Sequence, residues 1–312
     1  MAELSDKFVK QETCWICGGR EFRFQHAARF DTNFSNDAEF RAYSGLTVDL
    51  HACDACGFTQ PAGLPSYPNY FDCLYANAWS EEWIEQEFNA NYKDGIFNTV
   101  LTRLERLLPK TSRSLLDVGT HVGRMLVHAK TRGWNASGIE LHPRIAEFAN
   151  ARSGCPVHRM NANQLAATGE RYDAVVLTDV LEHIPHPGEI LKDMYSLVKA
   201  GGAVAVKVPY GRHQLFKERL RSKLKPGYPI HVASCLVHVN HFSANSLKMA
   251  LTNAGFENVE IRVGAPEIDW SMKPKAVLSR WFRFGVYRLA SLPGGLSTPL
   301  ALNLQAYGRK PA

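Results

Sequence analysis

Three groups of residues in this chain carry side chains that could do chemistry. Cys14 and Cys17, then Cys53 and Cys56, form two Cys-x-x-Cys pairs, each trailed by a glycine, Gly18 and Gly57. Each pair can present both sulfurs to one ion, and the glycine permits the turn that aims backbone N–H groups at thiolates. Four thiolates complete a tetrahedral Zn2+ site with no open position, so the expected role is structural. Reduced structural cysteines and an iron site are the alternatives. The 35 residues between the pairs exceed the usual ribbon spacing, so a hairpin or short helix must fill the gap.

The second group is a glycine turn with two acids. LLDVGTHVGR, residues 115–124, reads as a buried strand ending at Asp117, a turn through Gly119 and Gly123, then a helix. Both glycines would let the backbone pass close to a ligand where a β-carbon would collide. A dinucleotide site would want Gly-x-Gly-x-x-Gly, bringing a helix N-terminus onto a pyrophosphate. Here the spacing is Gly-x-x-x-Gly, and Asp117 suits a cationic amino group better than phosphate. Glu140 follows 23 residues later at the end of the next strand, where an acid can accept hydrogen bonds from both hydroxyls of a ribose. A structural turn with a surface acid is the plain alternative.

The third group is Glu182-His183, just past a later strand. A histidine near its unperturbed pKa suits a proton acceptor at neutral pH, with Glu182 to orient it; a loop-stabilising pair without proton transfer is the competing reading. Tyr210, His213, His231, His238 and His241 follow the next strand. His238 and His241 are three apart, yet they precede Ser243, which reads as a helix cap. A core or substrate-wall role therefore outweighs metal ligation, and His241 is the second choice for the site.

The elements that must hold these groups are legible from periodicity. Helical spacing of apolar residues runs from Trp79 to Leu108. Short apolar runs predict strands at 114–118, 136–141, 157–160, 172–178, 203–208, 259–263 and 302–307. Helices are expected between most of them, at 122–132, 143–152, 188–198 and 245–254. Pro143 and Pro187 suit first helical turns, and Gly201-Gly202 suits a helix stop. The alternation predicts an α/β fold, a doubly wound, seven-stranded and mostly parallel sheet. The first 75 residues are loop-rich and aromatic, with 62–70 reading as a linker, so the expected division is a metal module over 1–75 and the α/β domain over 76–312.

The chain has 312 residues, 45% hydrophobic and 21% charged, an ordinary globular balance with room for one large and one small domain. Its start lacks an apolar export signal, and no run approaches the ~18–20 apolar residues of a membrane span. A cytoplasmic enzyme is expected, in which cysteine pairs favour metal over disulfides. Cys73, Cys155 and Cys235 read as small buried apolar residues. Net charge is +6, but seven Lys or Arg against one acid crowd 207–225, so an anionic partner is expected near that segment. It could act as a lid over the acceptor or be a solvated amphipathic helix.

Residues 114–310 resemble class I S-adenosylmethionine-dependent methyltransferases, of the group related to ubiquinone-biosynthesis O-methyltransferases. The matching pieces are LLDVGTHVGR, SGIELHP (137–143), YDAVVLTDVLEHIPHP (172–187), AGGAVAVKVP (200–209) and HVNHFSANSLKMALTNAGF (238–256). The resemblance implies that Asp117, Gly119 and Thr120 line the methionine part of the cofactor, with Gly123 completing the turn. It implies that Glu140 holds the ribose, Leu141 packs on adenine, Asn161 faces the adenine amino group, and Asp179 and Val180 close the site. A metal-ligand role for His183 occurs in some relatives. The cysteine arrangement resembles the N-terminal zinc-binding domain of certain sugar C-methyltransferases, whose extra C-terminal domain is not expected in this chain.

The expected function is methylation of oxygen or carbon on a small, anionic or sugar-linked acceptor (a nucleotide-sugar or glycan) in a biosynthetic pathway. An RNA methyltransferase gripping nucleic acid with the module and basic segment is one alternative, although the knuckles lack the basic, stacking pattern of RNA readers. A non-catalytic module that binds S-adenosylmethionine is another. Residues 275–293 alternate apolar and aromatic residues with arginines. They read as a peripheral helix with a buried face, or as one that lies on a membrane surface or docks a partner.

Overall fold

The computed structural model describes residues 5–76, 80–225, 231–298 and 300–312, with the side chains of 76, 212, 222 and 231–233 excepted. Trp79, the expected start of the first long helix, and the side chains of Arg212 and His231 lie outside that description. The strands, in chain order, are β1 (Phe8–Lys10), β2 (Phe22–Arg29), β3 (Thr47–Cys53), β4 (Thr59–Pro61), β5 (Gly63–Pro65), β6 (Ser114–Val118), β7 (Asn135–Ile139), β8 (Val157–His158), β9 (Tyr172–Thr178), β10 (Val198–Pro209), β11 (Glu257–Gly264) and β12 (Asn303–Arg309).

Seven of them form one sheet in the order β11-β12-β10-β9-β6-β7-β8. β6, β7, β8, β9 and β10 pair in parallel, while β12 runs antiparallel to both β10 and β11. The central strands are buried through their length; Leu115, Leu116, Val175 and Leu177 are fully enclosed. That is why they read as continuous apolar runs rather than alternating ones. The chain order reverses between β6 and β9, leaving a crevice beyond their carboxyl ends, where ligands of open α/β sheets sit.

Several local expectations shift. The helix read from Trp79 to Leu108 is two helices, Glu81–Asn89 and Asp94–Leu107, and the break turns Tyr92 and Lys93 toward the crevice. Gly201 and Gly202 do not stop a helix. The helix Gly188–Leu197 ends before them, and they lie in β10, where the register with β9 shifts between Val198 and Ala203. The sequence read as a linker is packed structure. Gly63–Pro65 pairs antiparallel with Phe8–Lys10, and Tyr70 is fully buried with its hydroxyl donating to the Cys235 carbonyl at 2.9 Å.

The N-terminal region is therefore built, not loose. β2, β3 and β4 make a three-stranded antiparallel sheet, and the short helix Ala38–Arg41, capped by Asp37, bridges β2 and β3. These elements fill the gap between the cysteine pairs. Cys14, Ile16, Cys53, Cys56 and Phe58 join the same apolar cluster as Val118, Leu177 and Phe242 of the large sheet's core. Leu236, beyond the basic helix, packs into the N-terminal core instead, against Phe30, Phe40 and Tyr70.

Candidate active site

The glycine turn forms as the spacing predicts. Gly119 and Thr120 both donate backbone N–H groups to the Ile139 carbonyl, at 2.9 and 3.0 Å, which ties the turn to the end of β7. Gly119 has φ +70, and a β-carbon there would stand 2.6 Å from Val180 Cγ2. Only glycine satisfies both constraints. Gly123 has a different role from the one expected. At φ +83 it precedes the helix Arg124–Thr131, and its missing β-carbon would meet Ala149 at 3.1 Å. It serves helix packing rather than close approach to a ligand.

Asp117 and Glu140 stand at the carboxyl ends of adjacent parallel strands, Asp117 in register with Gly138 of β7. Asp117 is buried and accepts a hydrogen bond from the Thr120 hydroxyl at 2.7 Å. Burial, with the nearby Glu140 adding to it, pushes its carboxyl up to about 7. Glu140 accepts N–H groups from His121 and His142, both at 3.0 Å and one on each oxygen. That fixes its plane while leaving a lone pair on each oxygen for further donors. Leu141, next along, is 64% exposed, an apolar surface at the strand's end. Asn161 accepts the N–H of Gln164 on its side-chain oxygen, capping the helix Ala162–Ala167, with one lone pair of that oxygen left over.

Across the switch point, Asp179 adopts φ +57 and Val180 packs over Gly119. Asp179 pairs with Lys207 and, at 3.1 Å, with Lys93. Burial alone would raise its pKa, but the two ammonium groups hold it well below the carboxylate range. Lys207, the first of the seven cations of 207–225, stands apart from the others. It is only 1% exposed, inside β10, with Glu267 also 3.8 Å away. Lys93, reaching in from the helix break, narrows the crevice to about 50 Å3 between Asp117, Gly119, His121 and Asp179.

Glu182 and His183 sit in the short helical turn Leu181–His183. Glu182 does not orient His183. The Val237 carbonyl does, 2.6 Å from Nδ1, with the Tyr75 hydroxyl 3.1 Å from Nδ1 and donating to the same carbonyl at 3.0 Å. A carbonyl can only accept, so Nδ1 carries the proton and Nε2 is left as a base. Burial holds the His183 pKa below its ordinary value. Glu182 is 2% exposed, and burial followed by repulsion from Asp179 pushes it up to about 8. The ring of His238 lies edge-on to His183, with centroids 4.8 Å apart, and Gln214 stands 3.2 Å from His238 Nδ1. Donor atoms of Glu182, His183 and His238 fall within 4.8 Å of one another.

His241 lies one step further from the crevice, 6.5 Å from His238 between centroids. It is 2% exposed, neither ring nitrogen has a partner among the described residues, and burial lowers its pKa to about 4. Its backbone exchanges two 3.0 Å hydrogen bonds with Thr59 of β4, so the N-terminal sheet and the histidine segment form one wall. No motif or spacing in the sequence marks Tyr75, Val237, Lys93 or Lys207 as site residues. Only the aromatic character of residues 67–75 hinted at the first.

The expected basic lid is the helix Gly211–Leu224. Its start lies against His241, Gly211 donating to the Phe242 carbonyl at 3.0 Å. Its Arg219 is bound to Gln25 of β2, and Glu218 is 3% exposed.

The four sulfurs of Cys14, Cys17, Cys53 and Cys56 lie within 4.8 Å of one another. Cys14 and Cys56 are 3.5 Å apart, as are Cys17 and Cys53. Gly18 and Gly57 share φ +73, and each donates its N–H to the carbonyl of the first cysteine in its pair, at 2.9 Å. Four thiols converging from two matched turns form a donor set that suits a tetrahedral metal ion. The cluster is bolted to the core of the large sheet. Ser243 Oγ donates to the Cys56 carbonyl at 3.0 Å, Asn253 Nδ2 to the Ile16 carbonyl at 2.7 Å, and Phe58 packs on Phe242.

This geometry can be set beside known proteins. A ubiquinone biosynthesis O-methyltransferase of Hydrogenovibrio crunogenus is 30% identical over 146 residues, covering 45% of this chain and 58% of the relative. One from Pseudomonas savastanoi pv. phaseolicola is 31% identical over 98 residues, 30% of this chain and 42% of the relative. The chain thus spans about half the length of the curated relatives it matches. Among solved structures, a chain from the complex of a Haloferax volcanii methyltransferase activator with a methyltransferase has a TM-score of 0.53 at 16% identity, covering 74% of this chain and 97% of that one. The plantazolicin methyltransferase solved with SAH has a TM-score of 0.50 at 15% identity, covering 76% and 94%. These likenesses bear out the expected doubly wound fold. Residues 92–261, more than half of the chain, match the profile of the methyltransferase domain family, and the chain belongs to that family.

Proposed function

We propose that this chain is an S-adenosylmethionine-dependent methyltransferase acting on oxygen or carbon of a small acceptor, with the cysteine cluster holding a structural Zn2+. One observation carries the reading: two carboxylates, Asp117 and Glu140, at the tips of adjacent parallel strands flanking a glycine turn at the sheet's switch point. Family membership and the relatives' names support it.

In this reading the cofactor, when bound, supplies a methyl group already activated on a sulfonium. Asp117 takes the cofactor's amino group, held in place by Thr120. Glu140 takes the ribose hydroxyls on its free lone pairs, and Leu141 covers the adenine. Asp179 and Val180 shape the wall opposite. The Lys93–Asp179 pair borders the part of the crevice, about 50 Å3, that the methionine end would enter, so the pair should shift as the cofactor binds.

The protein's remaining task is alignment, worth roughly 7–11 kcal/mol when the acceptor is held in line. His183 is the proposed base, its proton fixed on Nδ1 by Val237 and its Nε2 free to take the acceptor's proton. His238 and His241 line the wall behind it, and His241's unpartnered nitrogens suit the hydroxyls of a sugar-linked acceptor. The basic residues of the helix Gly211–Leu224 suit an anionic portion, such as a nucleotide-sugar phosphate.

The test is transfer of a labelled methyl from S-adenosylmethionine across panels of nucleotide sugars, phenols and RNA. A product with a sugar or phenol is expected, and turnover of RNA alone would overturn the acceptor class. With the true acceptor, His183→Ala should lower kcat by roughly 10²- to 10⁴-fold and leave cofactor affinity unchanged. A fall in cofactor affinity with kcat intact would place His183 outside proton transfer.

A further inference from the structure

The C-terminal helix Pro274–Ala290 does not bury its apolar face. Leu278, Trp281, Phe282, Gly285 and Leu289 fall at i, i+3, i+4, i+7 and i+11, one stripe of an α-helix. That stripe points to solvent. Leu278 is 74% exposed, Trp281 72%, Phe282 70% and Leu289 59%. The opposite side is the one held to the protein. Ala276 and Ala290 are buried, Arg280 donates to the Ser271 carbonyl at 2.9 Å, and Arg283 donates to the Glu267 carbonyl at 3.0 Å. Met272 before the helix and Leu292 after it extend the exposed apolar surface. An exposed, contiguous apolar patch of this kind marks an interaction surface.

Charge says what covers it. Residues 270–312 contain no Asp or Glu, and Lys273, Lys275, Arg280, Arg283 and Arg288 all fall within or beside the helix. At 100° per residue, Lys275 and Arg288 border the apolar stripe on its two sides. Their long stems can lie along the apolar surface while the cationic heads reach outward. With Arg280 and Arg283 turned to the protein, a second copy of this face would set Lys275 and Arg288 against their own counterparts with no acid on the helix to pair them. A layer of anionic headgroups over an apolar interior matches both the stripe and its borders. Trp281 fits the same surface, since its amphipathic ring favours the headgroup level. Among the described residues no helix is long and apolar enough to cross a membrane, so this contact is a lying-on, not a spanning.

We infer that the helix Pro274–Ala290 docks the protein on the surface of an anionic lipid bilayer, its Leu278, Trp281, Phe282 and Leu289 stripe dipping into the headgroup boundary. The docking is independent of the acceptor and of methyl transfer.

The experiment is co-sedimentation of the full chain with vesicles of phosphatidylglycerol and phosphatidylcholine, and with phosphatidylcholine alone. The triple variant L278S/W281S/F282S runs in parallel, its fold checked by thermal melting. All three side chains are solvent-exposed, so the melt should not move. The protein should partition onto the anionic vesicles, less onto the neutral ones, with binding weakened by 0.5 M salt. The triple variant should lose about tenfold or more in bound fraction. Failure of the native chain to bind anionic vesicles, or equal binding by the variant, overturns the inference. So does a concentration-dependent dimer that the variant abolishes without any vesicle binding, which would assign the face to a second copy.

Discussion

Replacing Asp117 with asparagine should make the unliganded protein more stable at alkaline pH while destroying its affinity for S-adenosylmethionine. Asp117 is 3% exposed and its only side-chain partner among the described residues is the Thr120 hydroxyl. Burial first, then Glu140, raises its pKa from the ordinary 3.8 to about 7. The folded state therefore holds a proton that the unfolded state releases, and stability falls as pH climbs from about 4 to about 7, then levels off. At ~1.36 kcal/mol per pH unit the full loss is about 4 kcal/mol. Asparagine does not titrate, so it escapes that loss. It does leave a buried amide N–H short of a partner, at a cost of roughly 1–3 kcal/mol that does not vary with pH. The variant should be the less stable protein at pH 4 and the more stable one at pH 8, the difference swinging by about 4 kcal/mol. Urea unfolding of both proteins at pH 4, 5.5 and 8 measures it. Calorimetric titration at pH 8 should show cofactor affinity down by about 100-fold or more, the trade of stability for function expected at a binding site. A stability difference that stays constant with pH to within about 1 kcal/mol would mean that the burial of Asp117 carries no electrostatic cost.

Other expectations rest on separate observations. Lys207→Met should cost about 2–3 kcal/mol, less than the ~3–5 of a fully unpaired buried charge, since it leaves Asp179 with Lys93 beside it in a site where Lys207 itself is only 1% exposed; adding Asp179→Asn should recover much of that in a double-mutant cycle. Gly119→Ala should abolish cofactor binding through its 2.6 Å clash with Val180 Cγ2, and Val180→Ala should restore only part, because the left-handed φ remains. Elemental analysis should find one zinc per chain, and a chelator or Cys17→Ser should release it and lower the melting temperature. No bound metal, or no change in melting on its removal, would leave the cysteines as plain core thiols.

Much of the fold could be read from local pattern because the central strands are buried on both faces. Runs such as AVVLT and AVAVKV stand out without any knowledge of neighbours, and β9 spans the residues predicted for it. The glycine turn and its acids were equally visible, since chain direction alone sets them at the ends of β6 and β7. What stayed hidden depended on distant partners. Lys207 reads as one more cation of the 207–225 segment, and its burial is offset by Asp179, just past the adjacent strand β9. Tyr75 and the Val237 carbonyl orient His183 from elements 108 and 54 residues away in the chain, and no motif announces them. The prolines at 65 and 68 suggested a linker, yet Pro65 ends an edge strand where no N–H is needed. Gly123 kept its place in the motif but serves Ala149 of the next helix. The exposed stripe of Pro274–Ala290 has a periodicity that shows an apolar face; only the packing of Arg280 and Arg283 shows which way it points.

In a crystal structure of the protein soaked with S-adenosylhomocysteine, the ribose hydroxyls should lie within hydrogen-bonding distance of Glu140, the amino group at Asp117 and the adenine against Leu141, with Lys93 displaced. Density for the ligand elsewhere on the sheet, or an empty crevice with the Lys93–Asp179 pair intact at saturating ligand, would contradict a cofactor site at Asp117 and Glu140.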